Sequence, residues 1–159
     1  MRYPGRRGTN LPRMGDYNQL VVLDRIRRAD EGVSRVELAV VTGLSGQTIS
    51  NVVGRLLELG LVEEGARHIA GRGKPRTMLH LRAAAGYALG THIDPVSVTT
   101  VLIDLAGTVL DRSVVTTPDG STAVVDAVAA EVARMRALVP DDLVLGLGVA
   151  APGPIDPEA

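Results

Sequence analysis

The sequence predicts an α+β chain in two parts: three short helices closed by a two-stranded hairpin, and then a β-β-β-α-β unit. Three observations predict this. Residues 34–61 repeat apolar side chains at helical spacing on both sides of Gly43, and from residue 87 the pattern turns β-rich. The charge also changes sign near residue 82, with 14 Lys or Arg against 8 Asp or Glu before it (+6) and 3 against 10 after it (−7). A basic front half favours a polyanion, and an acidic back half is repelled by one. The expected division is therefore a disordered basic arm over residues 1–15, a helical domain over residues 16–82, and a second domain over residues 83–159.

The arm holds four arginines, two prolines and three glycines with no apolar period. A first helix over residues 18–28 carries Leu20, Val22, Leu23 and Ile26 and covers the helices that follow, because two helices alone bury too little apolar area to fold. Ser34 and Ser45 each precede a helical pattern, where a serine hydroxyl can accept from an unpaired first-turn amide. Between them, Ala39 is the small residue where two helices touch and Gly43 the sharp turn. In the second of these helices Ile49, Val52, Val53, Leu56 and Leu57 recur on one face, and Gly60 closes it. This is the spacing of a helix-turn-helix. Residues 61–64 and 77–81 then read as the strands of a hairpin, the wing.

The opposite face of that helix carries Gln47, Thr48, Ser50, Asn51 and Arg55. These are hydrogen-bonding and mostly uncharged, a set suited to base edges and phosphates in a major groove. A merely solvated helix would more often show Glu and Lys there. Between the strands lies Gly71-Arg72-Gly73-Lys74-Pro75-Arg76, a slim cationic strip similar to the RGRP core of AT-hook peptides. Arg72, Lys74 and Arg76 on such a strip can follow a narrow minor groove. With Ser34, Arg35 and Ser45 at the helix starts, these residues make up the predicted DNA-contact set. Gln47 and Asn51 are assigned to bases, each amide able to pair in bidentate fashion with adenine; Thr48, Ser50, Arg55 and the wing cations are assigned to phosphate.

In the back half, residues 87–93, 96–105 and 108–117 read as strands and residues 123–139 as a helix, with Val124, Val128, Val132, Met135 and Val139 on one stripe. The near-continuous apolar run 143–150 is expected as a central strand covered on both sides. This half reads as the opening of a larger α/β domain. In bulk, the 159 residues are 45% hydrophobic and contain no cysteine, so there is neither a disulfide framework nor a thiolate metal site. No apolar segment follows the amino-terminal arginines as a secretory signal would require, and the run 143–155 is too short and too rich in Gly and Pro to span a bilayer. A soluble, cytoplasmic chain without cofactor, metal or membrane partner is expected.

From about Asn18 onward the chain resembles the ROK family of repressors, open reading frames and sugar kinases. The resemblance rests on Ser34-Arg35-Val36-Glu37-Leu38-Ala39, Thr42-Gly43-Leu44-Ser45 with Thr48-Ile49-Ser50, and Gly60-Leu61-Val62-Glu63. It continues through the Gly71 to Pro75 wing, Asp104-Leu105-Ala106-Gly107, and Gly146-Leu147-Gly148-Val149-Ala150-Ala151-Pro152-Gly153-Pro154-Ile155-Asp156. It implies a winged helix-turn-helix joined to the first part of an actin-like, hexokinase-like sugar-kinase domain. It further implies a DNA-binding transcriptional regulator, a repressor of sugar uptake or catabolism genes, acting as a homo-oligomer on an inverted-repeat operator. A sugar or sugar-phosphate effector is implied for a full-length relative, the sensing domain being truncated here. The family's kinases open this domain with an Asp-x-Gly-Gly-Thr loop, and here His92-Ile93-Asp94-Pro95-Val96 stands in its place, with an extra carboxylate and a missing amide donor. ATP binding is therefore not expected, and the chain is read as no enzyme. The alternatives are a ROK-type carbohydrate kinase and a non-functional truncated remnant.

Overall fold

The computed structural model describes residues 11–68 and 76–152. Its chain forms two compact units, Met1–Arg82 and Ala83–Ala159. The first contains α1 (Leu11–Arg27), a two-residue strand β1 (Val33–Ser34), α2 (Arg35–Thr42), α3 (Gly46–Glu58), β2 (Val62–His68) and β3 (Arg76–Leu81). The three strands make one antiparallel sheet in the order β1-β3-β2, with a bulge in β2 between Glu64 and Arg67.

Helix α1 begins earlier than its composition suggests. Residues 11–15, expected in the disordered arm, are its first turn and more. Pro12 is compatible with that place, since the first-turn amide it lacks would have no helical partner anyway. The expected arm over residues 1–10 lies outside the described residues, as does the wing tip 69–75.

The core of this unit is built from the helical periodicity. Val22 and Ile26 of α1, Leu38 of α2, Ile49, Val52, Val53 and Leu56 of α3, Val62 of β2 and Leu79 of β3 are buried together. Leu20 departs from the expected stripe and is 66% exposed. The helix ends are well defined. Gly43 takes the left-handed conformation that ends α2 (φ 70°) and returns its N–H to Ala39 O at 3.0 Å. Gly60 does the same after α3 (φ 68°), donating to Leu57 O while Leu61 N reaches back to Leu56 O, both at 3.0 Å. This double bond pattern stops the helix and turns the chain into β2.

The second unit contains β4 (Tyr87–Ile93), β5 (Ser97–Asp104), β6 (Val109–Thr116), α4 (Ser121–Arg136) and β7 (Val144–Ala150). Its sheet has the order β6-β5-β4-β7; β7 runs parallel to β4 and the other pairs are antiparallel. Helix α4 supplies the crossover that a parallel pair requires and buries Met135 against Leu89 and Leu102. On the same face Thr91 and Thr100, directly paired across β4 and β5, share a buried Oγ1 to Oγ1 hydrogen bond of 3.2 Å. Strand β7, expected as a central strand covered on both sides, lies at the sheet edge among the described residues, with Leu145, Leu147 and Val149 at 68%, 44% and 57% exposure. An apolar run reports that side chains seek burial, not which neighbours a strand acquires.

Candidate nucleic-acid interface

Helix α3 presents two faces of opposite chemistry. Ile49, Val52, Val53 and Leu56 hold it on the core, and this fixes the azimuth at which Gln47, Ser50, Asn51 and Arg55 meet solvent. Its start is held by Ser45, whose Oγ accepts from Thr48 N at 3.2 Å and lies 2.9 Å from Thr48 Oγ1. Thr48 is therefore half-buried and tied to the cap. Ser50 Oγ donates back to Gly46 O at 2.9 Å, which leaves the hydroxyl oxygen as an acceptor only.

Gln47 and Asn51 stand one turn apart on the exposed face, and Gln47 Nε2 donates to Asn51 Oδ1 at 3.0 Å. Spacing of i, i+4 makes such a pair possible. The two amides, expected from the sequence to pair separately with adenine, are thus one hydrogen-bonded unit.

The cations divide into tethered and untethered. Arg35 Nη2 donates to Glu64 Oε1 of β2 at 2.8 Å, and Arg76 Nη1 lies 3.8 Å from Glu37 Oε1. Both pairs are partly exposed and contribute little to stability, about 1 kcal/mol or less. Arg55 points to solvent from the last turn of α3. Arg72 and Lys74 lie outside the described residues.

Ser34, expected among the DNA contacts, is placed by the structure as a helix cap. It is 2% exposed and forms a complete capping box with Glu37: its backbone N–H and its Oγ both donate to Glu37 Oε2, at 2.8 and 2.7 Å, and its Oγ accepts from Glu37 N at 3.4 Å. The Ser-x-x-Glu spacing was the available signal. Two glycines on α3, Gly46 and Gly54, were not singled out from the sequence. A Cβ on either would meet nothing within 4 Å, so neither is required by packing.

In the second unit, the turn after β4 is filled by its own side chain. Asp94 Oδ1 accepts from Val96 N at 2.7 Å and Ser97 N at 2.9 Å, while Ser97 Oγ donates to Oδ2 at 3.2 Å. These hydrogen bonds from Ser97 and Val96, with His92 alongside, hold the Asp94 carboxyl below its ordinary 3.8.

With the geometry in place, the chain can be set beside known proteins. Residues 9–73 match the MarR family model. That span takes in α1, α2, α3, β1 and β2 and ends within the segment 69–75. Over 128 residues the chain is 38% identical to the uncharacterized protein y4fQ of Sinorhizobium fredii, covering 78% of this chain and 32% of that one. Over 93 residues it is 31% identical to the xylose repressor of Bacillus spizizenii and 30% identical to that of Bacillus subtilis, covering 58% of this chain and 24% of each repressor. The chain therefore spans a third or less of the curated relatives it matches. The fold is that of a ROK family transcriptional regulator of known structure, a homologue of the E. coli MLC protein. It superimposes with a TM-score of 0.66 at 20% identity over 88% of this chain and 36% of that one. No helix among the described residues is long and apolar enough to cross a membrane.

Proposed function

We infer that this chain is a sequence-specific DNA-binding transcriptional regulator, a repressor of sugar uptake or catabolism genes. One observation carries the reading: the exposed face of α3 is an amide-rich, nearly uncharged ridge, held at a fixed azimuth by four buried aliphatic side chains and a serine cap. Such a ridge offers donors and acceptors to base edges, and the cations around it supply phosphate contacts. The similarity to two xylose repressors supports the sugar-linked role. The reading includes a homo-oligomer on an inverted-repeat operator, since two-fold sites match two-fold proteins, and a sugar or sugar-phosphate effector in longer relatives. It includes no enzymatic step. In support, the amides of Val96 and Ser97, at the place of the kinase loop, are already taken by Asp94.

Gel retardation with promoter fragments from the chain's own locus tests this. The protein should shift at least one fragment, more weakly as salt rises, and replacing Arg72 with Ala should lower the salt slope by about 1. Absence of any shift in dilute buffer would overturn the reading.

A further inference from the structure

We propose that Gln47 and Asn51 read DNA as one hydrogen-bonded unit, in which Asn51 orients Gln47 toward adenine. The proposal rests on the DNA-binding reading above and makes it specific.

Each side-chain amide has two N–H donors and one carbonyl oxygen with two acceptor lone pairs. The bond from Gln47 Nε2 to Asn51 Oδ1, at 3.0 Å, uses one Gln47 donor and turns the Asn51 oxygen along the helix toward Gln47. Gln47 keeps one N–H and its Oε1, a donor beside an acceptor, which complements N7 and the 6-amino group of adenine. Asn51 keeps both N–H groups of Nδ2 and the second lone pair of Oδ1, so the bond fixes the orientation of Gln47 while the Asn51 amide can still meet a base edge of its own.

Four residues of helix advance about 6 Å, so the two bases lie within about two base-pair steps of each other at 3.4 Å per step. Ordering both amides before DNA arrives also reduces the side-chain freedom lost on binding. Neither residue packs in the core, and both are exposed, so substitution leaves the fold in place.

The test is selection from a randomised duplex library by the full chain, with enriched sites sequenced for wild type, Gln47→Ala, Asn51→Ala and Asn51→Asp. Wild type should enrich a word with an adenine at the position read by Gln47 and a second selected position within two steps. Gln47→Ala should flatten the adenine position. Asn51→Ala should flatten both positions, with a loss of about tenfold in discrimination at each. Asn51→Asp keeps an acceptor for Gln47 and removes the outward donors, so it should restore the adenine position alone. The proposal is overturned if Asn51→Ala leaves adenine selection intact, or if Asn51→Asp fails to restore it. If wild type enriches no word at all, the DNA-binding reading falls with it, an outcome distinct from the other two.

Discussion

The imidazole of His80 occupies the space in which a side chain on Gly65 would begin: a Cβ placed there would lie 2.6 Å from both Cδ2 and Nε2. The same ring bounds Gly32, whose Cβ would stand 2.5 Å from His80 Cε1. Gly32 turns the chain from α1 into β1 with φ 81°, and Gly65 lies in β2, so one ring on β3 is fitted against two glycines on neighbouring segments. Gly65→Ala, where φ is not positive, isolates the steric part. It should destabilise the first unit by about 1 to 3 kcal/mol, the usual cost of overpacking. Combining it with His80→Ala should cost less than the two changes separately, because the smaller side chain vacates the space. Urea unfolding measures this. Full additivity would mean that the ring and the glycine are not in contact.

The turn between β4 and β5 should be sensitive to acid. Asp94 is held below its ordinary 3.8 first by the hydrogen bond from Ser97 N and next by that from Val96 N. A carboxyl with a lowered folded value binds fewer protons in the folded state than in the unfolded state near that range. Its contribution to stability is therefore complete above the unfolded value and disappears as pH falls through the folded one. Asp94→Ala should be less stable than wild type at neutral pH, and the gap should close at pH below about 3.8. Thermal melts of both proteins across pH 2 to 7, as a rough span for a carboxyl, decide the matter. A gap that stays constant into acid would show that the turn does not depend on the ionised carboxylate.

Replacing Ser34 separates helix capping from DNA contact. As the cap of α2 it should cost about 1 kcal/mol on conversion to alanine. Being 2% exposed, it should leave the salt dependence of DNA binding where it was. A salt slope reduced by about 1, at unchanged stability, would return Ser34 to the phosphate contacts.

What was legible in the sequence was whatever a local pattern controls. The buried face of α3, its serine cap and the glycine after it all follow from periodicity and helix-end chemistry, and the structure repeats them residue by residue. The antiparallel order of β4, β5 and β6 follows from short connections. Less legible was anything fixed by a partner distant in the chain. The Glu64 that tethers Arg35 is 29 residues away, and the edge position of β7 depends on where α4 returns the chain. The Gln47 and Asn51 link lay within reach of the i, i+4 rule, yet competing use of each amide for a base concealed it. Helix α1 began early because arginine, proline and glycine are read as disorder, although only an interior proline forbids a helix.

Gly54 tests whether the outer face of α3 is kept slim for a partner. It sits mid-helix, three residues beyond Asn51, where a Cβ would touch nothing within 4 Å. Packing does not explain a glycine there, and helix propensity opposes it by about 1 kcal/mol relative to alanine. Gly54→Ala should therefore raise the stability of the first unit by about that amount. If the helix backbone must approach a phosphate or groove wall at this point, the same methyl group should weaken DNA binding, moving stability and affinity in opposite directions. Unfolding and retardation measured on one preparation give both quantities. A variant that is more stable and binds as tightly as wild type would place Gly54 outside the contact surface, and confine the interface to the first half of α3 and the wing.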